Sequence, residues 1–343
     1  MKIAFVGVKR KFSEIPEDYR DHFVRYHLEL PWYYARDGKN DVYVTTVDHD
    51  GAPYKFEAGG SIRCVLEDRL ENHGPFDIII HWRKWFDEFA FSDGEIGVIN
   101  CQDHSFSQEW KRTVVDEFRN GKLKAILCFP TWHKQNLFTE LDGALPIEHL
   151  WDGLTLGVDT DVYKPDWSSK DPYKLLWSSD PGRGLQRAVE LAIKLHARDR
   201  RFQLHVCFPD YVSDSIQPIR HPAIVWRGKI ANGPELWDLF NTSGVLPYTS
   251  CFKEPSSRAH RQAMSAGSLV LYPPDMGSPS HLIPSDAGVV TSADTWVDII
   301  YREVSSGGWM TYGYAAREYA ISENWAVQAN RFNKFFEQRV NRR

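Results

Sequence analysis

An arginine–glycine pair follows a short apolar run in the second half of the chain. Residues 175–186 read LLWSSDPGRGLQ, so a strand-like run passes into a loop and a helical pattern begins near Gly184. Helix N-termini present free N–H groups to anions, and the guanidinium of Arg183 can add a charge-assisted contact. This loop, with Ser178 and Ser179, can therefore hold a diphosphate. An ordinary turn with an exposed arginine is the alternative.

A carboxylate and an amide flank the start of a later helical pattern. Glu254 stands just before Ser256 and Ser257, either of which can cap the helix. Gln262 follows Glu254 by eight residues. The carboxylate can bind sugar hydroxyls while the amide reaches further polar atoms. Taken alone, Glu254 is also typical of a solvated loop acid.

Polar side chains of the first half cluster at two strand ends. His81 and Arg83 lie in IIIHWRKW, and Asp103 and His104 lie in VINCQDHSFS. Because the carboxyl ends of parallel strands meet at one edge of a sheet, these side chains can share a binding surface. A purely structural role for each histidine stays open.

Several chemistries are excluded by motif. Gly7 ends the first strand pattern, but the next glycine is Gly38, so the glycine spacing of a dinucleotide-binding turn is missing. No GxxxxGK[ST], GxSxG or HExxH motif occurs. The 13 histidines show no zinc-ligand spacing with cysteine.

The elements that position these residues form two successive α/β series. In the first half, apolar runs at 2–7, 42–46, 76–80, 97–100 and 125–129 alternate with helical patterns at 27–36 and 108–120. In the second half, runs at 174–177, 204–207, 224–226, 244–247, 269–272 and 288–290 alternate with helical patterns at 185–195, 236–240 and 258–266. The stretch at 147–165, which contains Gly153 and Gly157 and ends in proline, predicts a linker. Both halves therefore predict doubly wound parallel sheets.

The composition bounds the class of protein. The 343 residues carry a net charge of −5, with 42% hydrophobic residues, which predicts a globular protein and argues against a nucleic-acid partner. No signal peptide and no membrane-length apolar run is found. Five widely spaced cysteines indicate reduced thiols and a cytoplasmic location. The basic ends at 9–11 and 341–343 leave peripheral contact with a membrane open.

Taken in order, these segments resemble the retaining GT-B glycosyltransferases of family 4. Residues 147–165 resemble the interdomain stretch of the family, and residues 175–185 resemble its donor-diphosphate loop. Residues 225–250 resemble its glycine, short helix and strand leading into the donor loop, and residues 254–283 resemble its EX7E helix and the glycine loop that follows. The interdomain matches are Gly157, Val158, Asp159 and Pro165.

The resemblance implies two Rossmann-like parallel-sheet domains facing across a cleft. The expected division is an acceptor domain at 1–155, a donor domain at 156–315 and a helical tail at 316–343 that can pack back on the first domain. The implied reaction moves a sugar from a nucleoside-diphosphate sugar to an acceptor hydroxyl, with retention and without a metal. The sugar nucleotide would be a co-substrate, and no other cofactor is expected.

The resemblance also implies roles for single residues. The expected catalytic residues are Glu254, Arg183 and His104. The expected donor-binding residues are Ser178, Ser179, Gly184, Gly228, Ile230, Ser256, Ser257 and Gln262. The expected acceptor-side residues are Gly7, His81, Arg83 and Asp103. The acceptor itself is left open among a glycan, a lipid-linked sugar, a protein and a small molecule.

The chain departs from the family pattern at three places. Arg183 and Gly184 stand where the family has Lys-Gly, which keeps the charge. Ser178 and Ser179 stand where the family has Gly-Arg, and Gln262 stands where it has the second glutamate of EX7E. These changes leave open a degenerate protein that binds a nucleotide sugar or glycan without turnover. Another GT-B activity, such as a phosphorylase or an epimerase, is the remaining alternative.

Overall fold

The chain divides into two compact units. Unit 1 comprises Met1–Thr155 and Trp325–Arg343, and unit 2 comprises Leu156–Asn324. The computed structural model describes residues 1–7, 29–35, 39–46, 54–55, 61–82, 95–101, 106–130, 132–152, 156–209, 212, 216–250, 252–277, 280 and 282–340.

Unit 1 is built on a sheet of eight strands in its described part. The strands are β1 (Lys2–Val6), β2 (Asp41–Thr46), β3 (Tyr54–Lys55), β4 (Ser61–Leu66), β5 (Ile78–Trp82), β6 (Ile96–Asn100), β7 (Leu123–Leu127) and β8 (Leu150–Trp151). Their order is β3-β4-β2-β1-β5-β6-β7-β8, and only the β3–β4 pairing is antiparallel. Every residue of β6 is buried, as expected for a parallel strand covered on both faces.

Four helices of unit 1 lie in the described residues. They are α1 (Glu29–Ala35), α2 (Gln108–Arg119), α3 (Trp132–Glu140) and, from the end of the chain, α9 (Trp325–Val340). Aromatic side chains attach α9 to this unit. The ring of Phe335 stacks on Trp151 with centroids 3.4 Å apart, and the ring of Phe332 meets Tyr34 edge-on at 5.5 Å.

Unit 2 is built on a fully parallel sheet in its described part. The strands are β9 (Asp171–Ser178), β10 (Gln203–Phe208), β11 (Ile224–Lys229), β12 (Ser243–Pro247), β13 (Leu269–Tyr272) and β14 (Val289–Val290), in the order β11-β10-β9-β12-β13-β14. The helices are α4 (Leu185–Arg198), α5 (Pro234–Thr242), α6 (Arg258–Ser265), α7 (Trp296–Ser306) and α8 (Trp309–Ser322). Strand order reverses between β9 and β12, where such sheets bind ligands.

The helix α8 lies in unit 2, whereas the sequence-based tail begins at residue 316. Close packing explains the difference, since the α-carbon of Gly313 leaves no room for a Cβ against the backbone of Gly267. The guanidinium of Arg317 also donates hydrogen bonds to the carbonyl oxygens of Tyr163 and Ser265, both at 2.8 Å. The sequence patterns did not predict β3, β4, β8, α3, α7 or α8.

The cysteines and the hydrophobicity of the helices complete the description of the fold. The four cysteines in the described part, Cys64, Cys101, Cys128 and Cys207, are buried and free. None of the helices described above is both long enough and apolar enough to cross a bilayer.

A buried lysine lies just before β9. Only 7% of Lys170 is exposed, and its Nζ donates a hydrogen bond to the carbonyl oxygen of Asn241, near the end of α5, at 3.1 Å. Burial, followed by the positive charge of Lys174, lowers the pKa of Lys170 from its usual 10.5 to about 7. Between about pH 7 and 10.5, Lys170 is therefore neutral in the folded protein and protonated in the unfolded chain.

We predict that Lys170→Met raises the free energy of unfolding at pH 7. Between about pH 7 and 10.5 the unfolded chain binds more protons at this site, so the contribution of Lys170 to wild-type stability rises with pH. The substitution removes this dependence on pH, which amounts to about 1.4 kcal/mol for each pH unit over which the two states differ by one proton. Urea unfolding of both proteins from pH 6.5 to 9.5 measures it. Parallel curves for the two proteins would show that the pKa of Lys170 is not lowered.

Candidate functional site

The loop after β9 is fixed by its own polar groups. Oδ1 of Asp180 accepts a hydrogen bond from the backbone N–H of Gly182 at 2.9 Å, which supports a short 3-10 turn over Pro181–Arg183. Gly184 follows with φ +89°, and α4 begins at the next residue. Ser178 ends β9, so Arg183 is presented at the carboxyl edge of the sheet.

Gly184 brings this loop against the loop after β12. The hydroxyl of Thr249 donates a hydrogen bond to the carbonyl oxygen of Gly184 at 2.7 Å. A Cβ on Gly184 would overlap the backbone carbonyl of Thr249, and the left-handed φ also disfavours other residues. A glycine is therefore required where the two loops meet.

An ion pair joins the same two loops. Nη1 of Arg183 contacts Oε1 of Glu254, and the side chain of Glu254 is 4% exposed whereas that of Arg183 is 45% exposed. The carboxylate is thus held inside the protein, and the guanidinium keeps a face open to solvent. Such a face can bind an anion without losing its counter-ion.

Further polar contacts fix the carboxylate. The hydroxyl of Ser250 lies 3.5 Å from Oε1 of Glu254, and the backbone N–H of Glu254 donates to the carbonyl oxygen of Met276, in the loop after β13, at 2.8 Å. Burial, and then the charge of Glu254, raise the pKa of Tyr248 well above its usual value. Loops after three neighbouring strands therefore meet at Glu254.

Gln262 is held inside unit 2. It is 7% exposed, and its Nε2 donates a hydrogen bond to the hydroxyl of Tyr163 at 2.8 Å. That hydroxyl donates in turn to Oδ1 of Asn232 at 3.2 Å. The predicted contact of Gln262 with a ribose stays a prediction, and it would require sharing this amide with Tyr163.

The other predicted donor residues are placed as follows. Ser257 occupies the position before α6 without a side-chain cap, and Ser256 precedes it. Gly228 has φ +74° and open space around its α-carbon. Ile230 is 5% exposed, and its backbone N–H donates to the carbonyl oxygen of Phe208 at 2.9 Å.

Of the predicted acceptor residues, Gly7 and His81 lie at the carboxyl ends of β1 and β5 in the unit 1 sheet. The backbone N–H of Gly7 donates to the hydroxyl of Thr45 at 2.9 Å. His81 is fully buried on β5, and burial lowers its pKa to about 3, which keeps the imidazole neutral. Arg83, Asp103 and His104 lie outside the described residues.

Among the residues that the structure describes, no group of three or more histidine, cysteine, aspartate or glutamate side chains is placed to hold a metal ion.

Tyr248, Thr249 and Ser250 were not singled out from the sequence. Their position directly after an apolar strand, in LPYTS, is the signal that could have identified them.

Comparison with known proteins finds similar structures but no similar sequence. No family model and no curated protein sequence matches the chain. A glycosyltransferase from Rickettsia africae matches in structure with a TM-score of 0.65 at 11% identity, over 98% of this chain and 97% of that one. The chain has the GT-B fold.

Two further solved structures of this fold span the whole chain. Sucrose-phosphate synthase from Thermosynechococcus elongatus has a TM-score of 0.65 at 14% identity and covers 100% of both chains. HepE from Anabaena, solved with UDP and glucose, has a TM-score of 0.63 at 13% identity, over 98% of this chain and 100% of that one.

We predict that Gly184→Ala destabilises unit 2 more than Gly307→Ala does. Both glycines have left-handed φ angles, 89° and 79°, but only Gly184 faces another backbone. The shared φ cost is about 1–2 kcal/mol, and the overlap with Thr249 adds about 1–3 kcal/mol. Chemical denaturation measures both variants. Equal losses would show that the close approach to Thr249 does not exist.

Proposed function

We propose that the chain is a glycosyltransferase that moves a sugar from a nucleoside-diphosphate sugar to an acceptor hydroxyl, with retention at the anomeric carbon. The observation that carries this proposal is the Arg183–Glu254 pair, at the point where the strand order of unit 2 reverses. The GT-B fold supports it, because solved structures of this fold include glycosyltransferases. The sugar nucleotide is a co-substrate, and no further cofactor is proposed.

Arg183 is proposed to bind the diphosphate of the donor. Its guanidinium is half exposed, and the N-terminus of α4 begins two residues later. Charge grows on the leaving diphosphate as the sugar bond breaks, so a fixed cation beside a helix N-terminus lowers the barrier. Gly184 allows backbone N–H groups to approach the same phosphate oxygens.

Glu254 is proposed to hold hydroxyl groups of the donor sugar. Its carboxylate is already fixed by Arg183 and Ser250, so the geometry does not have to form on binding. The acceptor is proposed to bind at the carboxyl edge of the unit 1 sheet, near Gly7. The leaving phosphate itself would accept the proton of the acceptor hydroxyl.

The neighbouring structures show which ligands this fold accommodates in other proteins. HepE from Anabaena was solved with UDP and glucose, and TarM from S. aureus with UDP, α-GlcNAc-glycerol and fondaparinux. A nucleoside-diphosphate donor and a glycan-type acceptor are therefore the ligand classes proposed for this chain. A cytoplasmic location stays a prediction from the cysteine pattern.

A protein that binds a nucleotide sugar without turnover is the second candidate. The hydrogen bond from Gln262 to Tyr163 favours it, because this amide is occupied within the protein. Both the glycosyltransferase and the binding protein would bind the nucleotide, but only the glycosyltransferase would form a product.

We predict that one nucleoside diphosphate raises the melting temperature of the chain and that Arg183→Met reduces its affinity. Loss of a charged hydrogen bond, at about 1.5–3 kcal/mol, weakens binding about 10- to 100-fold. A panel of UDP, GDP, ADP and dTDP in a thermal-shift assay measures it. Ligand at about 100 times Kd adds roughly 2.7 kcal/mol of stability.

Arg187→Met is the matched control for Arg183→Met. Arg187 lies on the first turn of α4 and is exposed, so its loss removes the same charge from the same segment. The control should bind nucleotide as the wild type does. No shift with any nucleotide, or equal affinity in both variants, would contradict the proposed site.

We predict that Glu254→Gln separates binding from turnover. The substitution frees the guanidinium of Arg183 from its carboxylate partner, so affinity for the nucleoside diphosphate should stay equal or increase. Turnover should fall about 100-fold, because the neutral amide accepts weaker hydrogen bonds from the donor sugar and is no longer fixed by the ion pair with Arg183. Calorimetry and product formation measure the two effects. Unchanged turnover would exclude Glu254 from the reaction.

A further inference from the structure

A cavity lies in unit 1 between α9 and the sheet. Its volume is about 380 Å³, and small-molecule sites typically have volumes of about 300–1,000 Å³. Its apolar lining comes from Ile96 and Val98 of β6, Ala125 of β7, and Phe335 and Phe336 of α9. All five residues belong to one compact unit, and the proposed function assigns no role to any of them.

The cavity lies at the edge of the sheet where β6 and β7 begin. Ile96 is the first residue of β6, and Ala125 stands near the start of β7. Gly7 follows the end of β1 and His81 lies near the end of β5, at the opposite edge. Because these strands run parallel, the cavity is separate from the proposed acceptor surface.

A β-bulge places a lysine beside the cavity. Gly97 pairs with Leu123 and Val98 pairs with Ala125, so Lys124 is an extra residue that faces no residue of β6. The backbone carbonyl oxygen of Lys124 accepts a hydrogen bond from Nδ1 of His149 at 2.9 Å. Because a carbonyl only accepts, the proton of the neutral imidazole lies on Nδ1, and Nε2 is an acceptor.

Two opposite charges line this cavity without an acid or a base to pair with. Lys124 and Glu148 both belong to its lining, and both are exposed. Lys122, two residues before Lys124, pairs with Glu117 at 3.6 Å. Within the part of the chain that the structure describes, no ion pair includes Lys124 or Glu148. The cavity therefore combines an apolar wall with a cation, an anion and the imidazole of His149.

We propose that this cavity binds a free α-amino acid with a large apolar side chain, such as phenylalanine. The apolar side chain occupies the space between Ala125 and the rings of α9. The carboxylate of the ligand pairs with Lys124, and its ammonium group pairs with Glu148. Burial of apolar surface provides the attraction, and the two exposed charges select the ligand.

A zwitterion fits this charge pattern better than a ligand with one charge. An apolar acid satisfies Lys124 but brings its carboxylate near the negative charge of Glu148, and an apolar amine meets the reverse problem at Lys124. A sugar phosphate lacks the apolar body that the wall of the cavity requires. The inference does not depend on the proposed glycosyltransferase activity, because it requires no nucleotide.

Thermal-shift and calorimetric titrations of the full chain test the ligand class. We expect L-phenylalanine to raise the melting temperature with saturation. Phenylpropionate lacks the ammonium group and phenylethylamine lacks the carboxylate, so each should bind about 10-fold more weakly. L-Alanine has no large apolar side chain and should give no shift. No saturable response to L-phenylalanine, L-leucine or L-tryptophan, or equal affinity for the three phenyl compounds, overturns the proposal.

Substitutions of the two charges assign their roles. Lys124→Met should weaken binding of L-phenylalanine about 10-fold but leave phenylethylamine unchanged, because this probe has no carboxylate. Glu148→Gln should weaken L-phenylalanine by a similar factor without weakening phenylpropionate. Both side chains are exposed, so neither substitution disturbs the core.

Lys122→Met is the matched control for Lys124→Met. Lys122 is exposed on the same segment but does not line the cavity, so the control loses the same charge and should bind L-phenylalanine as the wild type does. Equal losses in the two lysine variants, or unchanged affinity in both Lys124→Met and Glu148→Gln, overturn the proposal.

A crystal structure with L-phenylalanine gives a reading that does not depend on a variant. The phenyl ring should lie against Ala125 and Phe336, with the carboxylate within reach of Nζ of Lys124. An amino acid bound elsewhere in unit 1, or in unit 2, with the cavity holding only water, overturns the assignment.

Discussion

The ion pair between Arg183 and Glu254 is the interaction on which the arrangement of the unit 2 loops depends. A carboxylate that is 4% exposed needs a counter-ion, and Arg183 supplies it from another loop. The guanidinium reaches Glu254 because Gly184 allows its loop to approach Thr249. The adjacency of β9 and β12 brings both loops to one edge.

A second set of contacts positions α6 below that edge. Arg317 of α8 donates to the carbonyl oxygens of Tyr163 and Ser265, while Gln262 donates to the Tyr163 hydroxyl. The segment that precedes β9 is thereby joined to α6 and α8 as one packed group. The part of the predicted linker that follows residue 155 therefore belongs to unit 2.

The sheets could be predicted from the sequence because their strands are continuous apolar runs. The residues of β6 and β13 are buried throughout, and such runs need no knowledge of their neighbours. The strand β4 was not predicted, because half-buried residues, Arg63 among them, interrupt its run of buried residues. The helix α8 has its aromatic and apolar residues spread around the helix, so no single face marks it in the sequence. The helix α7 buries Trp296, Ile300 and Val304 at helical spacing, a pattern that the sequence analysis did not identify.

The site could be predicted only in part. Arg183 and Glu254 were identified one by one from their loops, but they are 71 residues apart, so no local pattern could show that they pair. The hydrogen bond between Gln262 and Tyr163 joins residues that are 99 positions apart, so it could not be predicted from the sequence either.

A crystal structure with the nucleoside diphosphate that binds most tightly tests the central claim directly. The account predicts phosphate oxygens within hydrogen-bond distance of the guanidinium of Arg183 and of the N–H groups that begin α4. Glu254 should remain buried beside them. A nucleotide bound to unit 1, or to unit 2 without contact to Arg183, would contradict the account.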